Sequence, residues 1–303
     1  MKLNLTICML FITLGSWSVF WAQAPRPTVL EIQELIQTTK QIPEADSAIT
    51  YAQQVVLKSR NENYTEGLIQ GYQMLGELNK DIGAFAEALR NYLQVIPILE
   101  ASQDSLAIFR TYAKIGNIYA SEQLNQEALD YFYMAQDLAV KAPKPEQIKV
   151  QENMATTYAN AEKYDSSLLL LNGIYRYHYS NSDTTAMSLT LEKRVNNYLA
   201  LKQYDAALVD NLEILRILVL TQDKNEIATA YNNIAYNYIK TNNLQKAVNN
   251  FGIAINVNPN SNYKKEATLL TNMAICYNNM GDQKTALIKL KEAQEILPNS
   301  EYQ

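Results

Sequence analysis

The sequence predicts an all-α solenoid of about seven helix-turn-helix units. Three observations predict it. Seven times along the chain a small or modest residue is followed, twelve positions later, by Ala or Ser: Ile36/Ala48, Gly76/Ala88, Gly116/Ala128, Ala155/Ser167, Val195/Ala207, Ala235/Ala247 and Ala274/Ala286. Successive pairs are offset by 40, 40, 39, 40, 40 and 39 residues, and a fixed period in this range marks stacked supersecondary units. Apolar residues around the pairs recur at the three-and-four spacing of a helix face. Finally, only 9 Gly and 8 Pro occur among 303 residues, which suits long helices and argues against many tight β-turns.

Taken in order, residues 1–24 read as a secretory signal peptide outside the fold. Lys2 supplies one positive charge, residues 3–21 are mostly apolar, and Ala22-Gln-Ala24 is a small-x-small cleavage site. Cleavage after Ala22 is the alternative, because Pro25 follows Ala24. An uncleaved anchor is the other reading of this segment, since 19 mostly apolar residues just span a bilayer. Residues 25–28 form a short linker and 29–303 the repeat array. Cys8 leaves with the signal, so Cys276 alone remains and no intrachain disulfide forms. The formal net charge is -5 and becomes -6 without Lys2. A mildly acidic chain with no basic run is not a nucleic-acid binder.

Each repeat unit reads as two amphipathic helices. In residues 110–120 the apolar face is Tyr112, Ile115, Ile118 and Tyr119; in 126–139 it is Ala128, Leu129, Phe132, Ala135 and Leu138. Residues 121–125 make the turn between them. Equivalent turns start near Asp81, Ala161, Leu201, Thr241 and Gly281. Small residues at the twelve-spaced slots let the two helices of a unit approach to about 8–10 Å.

The slots resemble those of the tetratricopeptide repeat family, whose motif has an aromatic, Leu-Gly and Tyr on the first helix and Ala, an aromatic and Pro on the second. The sixth unit matches with Tyr231, Ile234-Ala235, Tyr238, Ala247, Phe251, Ala254 and Pro259, and the third with Tyr112, Ile115-Gly116, Tyr119, Ala128, Phe132 and Ala135. The resemblance covers residues 29–298 and implies a right-handed superhelix. The family repeat is usually 34 residues, and the extra five or six here fall between a second helix and the next first helix, where they lengthen the helices or their connection. Pro97, Pro143 and Pro145 lie in that added stretch and are expected to end or kink second helices. The Asn-, Tyr- and Ile-rich composition and the Trp-Ala-Gln signal end resemble envelope proteins of Bacteroidota-type bacteria.

No catalytic constellation is visible, and no cofactor or metal is expected. His178 is the one histidine and nothing in the sequence frames it. Cys276, between Ile275 and Tyr277, reads as a buried, inert thiol. Eleven of the 21 tyrosines fill the repeat's own aromatic slots; the cluster from Tyr175 to Tyr179 ends a second helix and reads as packing plus a solvated helix end. The candidate binding residues are an asparagine series on the first helices: Asn117, Asn153, Asn196, Asn233 and Asn272, each two before or one after its small slot. Those offsets are three residues apart and share one helix face. Asn can both donate to and accept from a peptide amide, and Lys114 and Lys193 on the same face can meet a carboxylate. The resemblance implies that this face lines a concave groove. It also brings to mind the Lys/Asn clamp by which co-chaperone members hold a C-terminal carboxylate: Asn117, Asn153 and Lys193 resemble three of its five positions, whereas Ala113 and Leu189 occupy the other two.

The expected function is an exported, non-enzymatic scaffold, periplasmic or secreted, that binds a partner protein or extended peptide in the groove. Contact with a membrane is expected only through an uncleaved signal segment. The resemblance implies one alternative, the extracytoplasmic sensor portion of a tetratricopeptide-containing histidine kinase or transcription regulator, ending before its membrane helix. Self-association through the last unit is a further expectation.

Overall fold

The computed structural model describes residues 27–259 and 262–296. The signal segment, its cleavage site, Cys8 and Pro298 lie outside the described residues. Helices and their turns make up the described chain, with no strand among the described residues. It opens with α1 (Pro27–Gln41) and α2 (Ala45–Asn61), followed by α3 (Thr65–Asp81) and α4 (Phe85–Ala101). Next come α5 (Ser105–Ser121) and α6 (Asn125–Asp137), then α7 (Lys144–Asn160) and α8 (Tyr164–Ser180). The remaining pairs are α9 (Thr184–Ala200) with α10 (Tyr204–Thr221), α11 (Lys224–Lys240) with α12 (Leu244–Val257), and α13 (Tyr263–Asn279) with α14 (Gln283–Ile296). Residues 27 and 28, read from sequence as linker, are already helical. The architecture is an all-α solenoid of helical hairpins.

The chain divides into two compact units, one ending at Asn91 and one starting at Tyr92, so the boundary falls inside α4. In the first unit Ile32, Ile36 and Val55 form a buried cluster, and Gly71 allows α3 to lie directly on Val55 and Val56 of α2. The second unit carries α5 to α14. Both members of every twelve-spaced pair are buried.

One turn type recurs at most helix ends. A residue in the left-handed region closes α2, α3, α4, α5, α7, α8, α9, α10, α11 and α13; it is Gly only at Gly83 and Gly281. After α5, for example, the Gln123 N–H donates to the Ala120 carbonyl at 3.1 Å and the Leu124 N–H to the Tyr119 carbonyl at 2.9 Å. That is the paired capping of a Schellman motif, which satisfies carbonyls the helix end would leave orphaned. Several turns between hairpins add an Asp N-cap: Asp104 accepts from the Ala107 N–H at 2.9 Å, Asp183 from Ala186 at 3.0 Å and Asp223 from Asn225 at 2.8 Å. The connections from α2 to α3, α4 to α5, α8 to α9 and α10 to α11 are as short as the turns within hairpins, whereas those from α6 to α7 and α12 to α13 are longer. The first helices α3, α5, α7, α9, α11 and α13 are each 17 residues long.

Pro143 and Pro145 behave differently from expectation. Pro97 lies inside α4, which continues to Ala101. Pro143 is the N-cap of α7 and Pro145 sits in its first turn, where a missing N–H breaks no intrahelical bond. They start a first helix; the preceding α6 has already ended at Asp137 and a short 3-10 turn, Ala139–Lys141, intervenes.

Candidate functional site

Within the second unit, α5, α7, α9, α11 and α13 present a common face made by the sixth, ninth, tenth and thirteenth residues of each helix. These are one helical stripe, since three and four residues return to the same side. All seven residues singled out from sequence fall on it. Lys114, Asn153, Lys193, Asn233 and Asn272 are tenth residues; Asn117 and Asn196 are thirteenth residues.

Neighbouring first helices are stitched with a regular stagger along this face. Arg110 of α5 makes two hydrogen bonds to the Glu146 carboxylate of α7, at 2.7 and 2.8 Å, and its guanidinium holds that carboxyl below the usual range. Asn153 Nδ2 donates to Asn117 Oδ1 at 2.6 Å. Lys193 Nζ donates to Thr156 Oγ1 at 3.3 Å. Lys265 of α13 donates to Thr229 Oγ1 at 2.8 Å and to the Asn225 carbonyl at 2.9 Å, and Asn272 Nδ2 to Asn232 Oδ1 at 3.4 Å. In the first, second, third and Lys265–Thr229 contacts, a residue of one helix meets the residue three positions earlier in the next. Asn117 and Asn153 thus bond to each other, whereas Asn196 and Asn233 stand exposed. Lys114 lies over the Tyr92 ring, 5.6 Å from its centroid.

Clefts open between the stitches. One of about 370 Å³ lies between α7 and α9, with Lys193, Asn196 and Thr156 at its edge and Leu171 of α8 in its lining. The next, of about 280 Å³, lies between α9 and α11 over Ile214, Ile217 and Leu218 of α10. Glu192 and Glu226 flank it, with Asn233 alongside. Partial burial, and secondarily the Glu226 charge, raise the Glu192 carboxyl above its ordinary value. A third of about 320 Å³ lies between α11 and α13, edged by Lys264, Lys265 and Asn232. Along this face the charge lining the clefts runs positive, negative, positive.

Beneath the face lie polar groups that sequence reasoning missed. Asn197 of α9 donates to Ser167 Oγ of α8 at 2.7 Å, and Ser167 donates to the Ala155 carbonyl of α7 at 2.7 Å, so three helices share one buried chain of hydrogen bonds. Arg194 of α9 meets Asp210 of α10 at 3.0 Å, with the Arg194 side chain 16% and the Asp210 side chain 5% exposed. The Arg194 guanidinium lies over the rings of Tyr175 and Tyr198, at 5.5 and 5.8 Å. Burial pushes the Asp210 carboxyl up to about 6, with Arg194 pulling it the other way.

The remaining candidates are embedded in packing. Tyr175 lies against Arg194, and Tyr179 is exposed. His178 is buried, with Nε2 3.4 Å from Glu152 Oε1 and Nδ1 3.9 Å from Asp183 Oδ2. Cys276 is fully buried, and burial pushes its thiol up. Among the described residues no group of three His, Cys, Asp or Glu side chains is placed to hold a metal, and no described helix is long and apolar enough to cross a membrane.

A family model for the tetratricopeptide repeat matches residues 228–261, which take in most of α11, all of α12 and the residues just after it. No curated protein matches the chain. Among solved structures, the apo form of RapI aligns over 90% of this chain and 76% of its own, with a TM-score of 0.67 and 14% identity. A signal transduction ATPase with a tetratricopeptide repeat sensor from Pyrococcus horikoshii aligns over 88% of this chain and 44% of its own, with a TM-score of 0.62 and 14% identity. The kinesin light chain TPR-like repeats of Podosopora anserina align over 63% of this chain and 95% of theirs, with a TM-score of 0.53 and 15% identity. At these identities the likeness is one of fold: a solenoid of tetratricopeptide-like hairpins.

Proposed function

We propose that this protein is an exported, non-enzymatic scaffold, periplasmic or secreted, built from 39- or 40-residue tetratricopeptide-type units. It holds an extended segment of a partner protein across the first-helix face. The observation that carries this reading is the stitched face itself: five parallel first helices present Asn, Lys, Thr and Glu side chains around three successive clefts. An extended peptide offers a donor or an acceptor at every residue, and the exposed amides of Asn196 and Asn233 answer both. Retention of a mixed-sequence peptide library on the immobilised protein tests it. The Asn196→Ala/Asn233→Ala/Asn272→Ala variant is expected to retain the same peptides at least about tenfold less well, since each lost polar contact contributes on the order of 1 kcal/mol. Equal retention by this variant, or no retention by either protein, overturns the reading.

A sensor portion of a larger receptor is the second reading. It draws on the Pyrococcus horikoshii neighbour, whose tetratricopeptide repeat is named a sensor. The intact mass of the native protein separates the two: a soluble species lacking the first 22 or 24 residues supports the exported scaffold, and a heavier membrane-bound species the receptor.

A further inference from the structure

Resting on the groove reading, we infer that the cleft between α9 and α11 is a subsite for a lysine or arginine side chain carried by the partner's extended segment. Its floor is aliphatic, made by Ile214, Ile217 and Leu218. Its flanks carry two carboxylates, Glu192 and Glu226, and neither has a cationic partner among the described residues. Lys193, next to Glu192 in sequence, points its ammonium to Thr156 instead.

A separate observation places an uncommitted polar group in the cleft. Ser188 lines it and is only 8% exposed, yet its hydroxyl has no hydrogen-bond partner among the described residues. Other helix hydroxyls nearby bond back to the preceding turn, as Thr190 does to the Ala186 carbonyl at 2.7 Å. The Ser188 oxygen is not fully enclosed, so its hydroxyl stands open to the cleft and is free to bond to a polar group that enters it.

The occupant follows from the combination. Lysine and arginine carry a methylene stem that covers apolar surface and a charged head that seeks carboxylates. A purely apolar side chain leaves both carboxylates unanswered. An acidic one is repelled by them. A divalent cation would need six or more oxygen ligands or retained water, and gains nothing from the aliphatic floor. Partial burial strengthens the attraction between the carboxylates and an incoming cation relative to open water; burial first, and the Glu226 charge second, raise the Glu192 carboxyl.

The test uses the full chain and four synthetic nonapeptide pools with randomised neutral flanks and Lys, Arg, norleucine or Glu at the centre, titrated by fluorescence anisotropy. The Lys and Arg pools are expected to bind at least about tenfold more tightly than the norleucine pool, as for a partly desolvated charge pair. In Glu192→Gln/Glu226→Gln that difference disappears, while binding of the norleucine pool is unchanged. Equal binding of the Lys and norleucine pools, or a Lys preference that survives the double substitution, overturns the inference and leaves the groove reading standing. Failure of every pool to bind overturns both.

Discussion

The α5–α6 and α9–α10 hairpins have first helices of equal length and the same left-handed closing turn, yet their seams are chemically opposite. Aligned slot by slot, the buried Ile115 of α5 corresponds to Arg194 of α9. The buried Phe132 of α6 corresponds to Asn211 of α10, and Tyr131 to Asp210. One seam is filled by Phe109, Ala128, Leu129 and Phe132. The other buries an ion pair and an amide, and leaves Arg194 Nε, Asp210 Oδ2 and Asn211 Nδ2 without hydrogen-bond partners among the described residues. The hairpin geometry is therefore set by what the two share: the capped turn, the helix length and the twelve-spaced small slots. The seam between the helices can be apolar or ionic, but the ionic one is conditional, because desolvated charges stabilise only as an intact pair.

Breaking that pair is expected to have the largest effect. Arg194→Ile places in α9 the residue that α5 carries, but strands the Asp210 carboxylate, so a loss of about 3–5 kcal/mol at neutral pH is expected in denaturant unfolding. Adding Asp210→Tyr and Asn211→Phe completes the copy of the α5–α6 seam and should restore most of that loss. If Arg194→Ile alone is as stable as the parent, the pair contributes nothing and the contrast between the two hairpins collapses.

The same pair predicts a pH dependence with a definite sign. Burial holds the folded carboxyl of Asp210 at about 6, above the ordinary 3.8 of an exposed aspartate. Between those values the folded state holds a proton that the unfolded state has lost. Stability from this group is therefore full below about pH 4 and declines as pH rises through about 6, by up to about 3 kcal/mol. Measured against an Asp210→Asn variant, the parent should lose relative stability between pH 4 and 7. A difference that is flat over that window, or one that rises, contradicts the assignment.

The solenoid was legible because its determinants are local and repeated: a small residue, another twelve positions on, and helical spacing around both. The polar seam was not, because Arg194 and Asp210 taken singly look like the solvated charges of any helix. Only column-wise comparison of the units shows Arg194 standing where Ile115, Met154, Ile234 and Met273 are buried. Pro143 and Pro145 misled for a related reason. Prolines are neutral at a helix start and disruptive in its interior, so their meaning depends on a boundary the sequence leaves open by several residues. The asparagine series was legible as a face, but not the bond between Asn117 and Asn153, nor the convergence of Glu192 and Glu226. Those depend on how one first helix is staggered against the next.

The smallest effects separate the slots from the helices that carry them. Gly116 and Gly173 both sit inside helices, where Gly is disfavoured against Ala by about 0.5–1 kcal/mol. A Cβ on Gly173 would meet nothing within 4 Å, so Gly173→Ala should raise stability by about that amount. A Cβ on Gly116 would lie 2.7 Å from the Phe132 ring, closer than two carbons can rest. The sixth unit keeps Ala235 and Phe251 in the corresponding slots, both buried, so the hairpin can open slightly to admit a methyl. Gly116→Ala should therefore cost about 1 kcal/mol net, at the low end for overpacking. Val195 fills the same slot in α9, where Asn211 replaces the ring, and the larger residue is accommodated there. The size of the small slot is thus tied to the residue eight positions into the second helix. Gly116→Ala combined with Phe132→Leu should lose less stability than the two single changes summed, and strict additivity would show that the slot and the ring act independently.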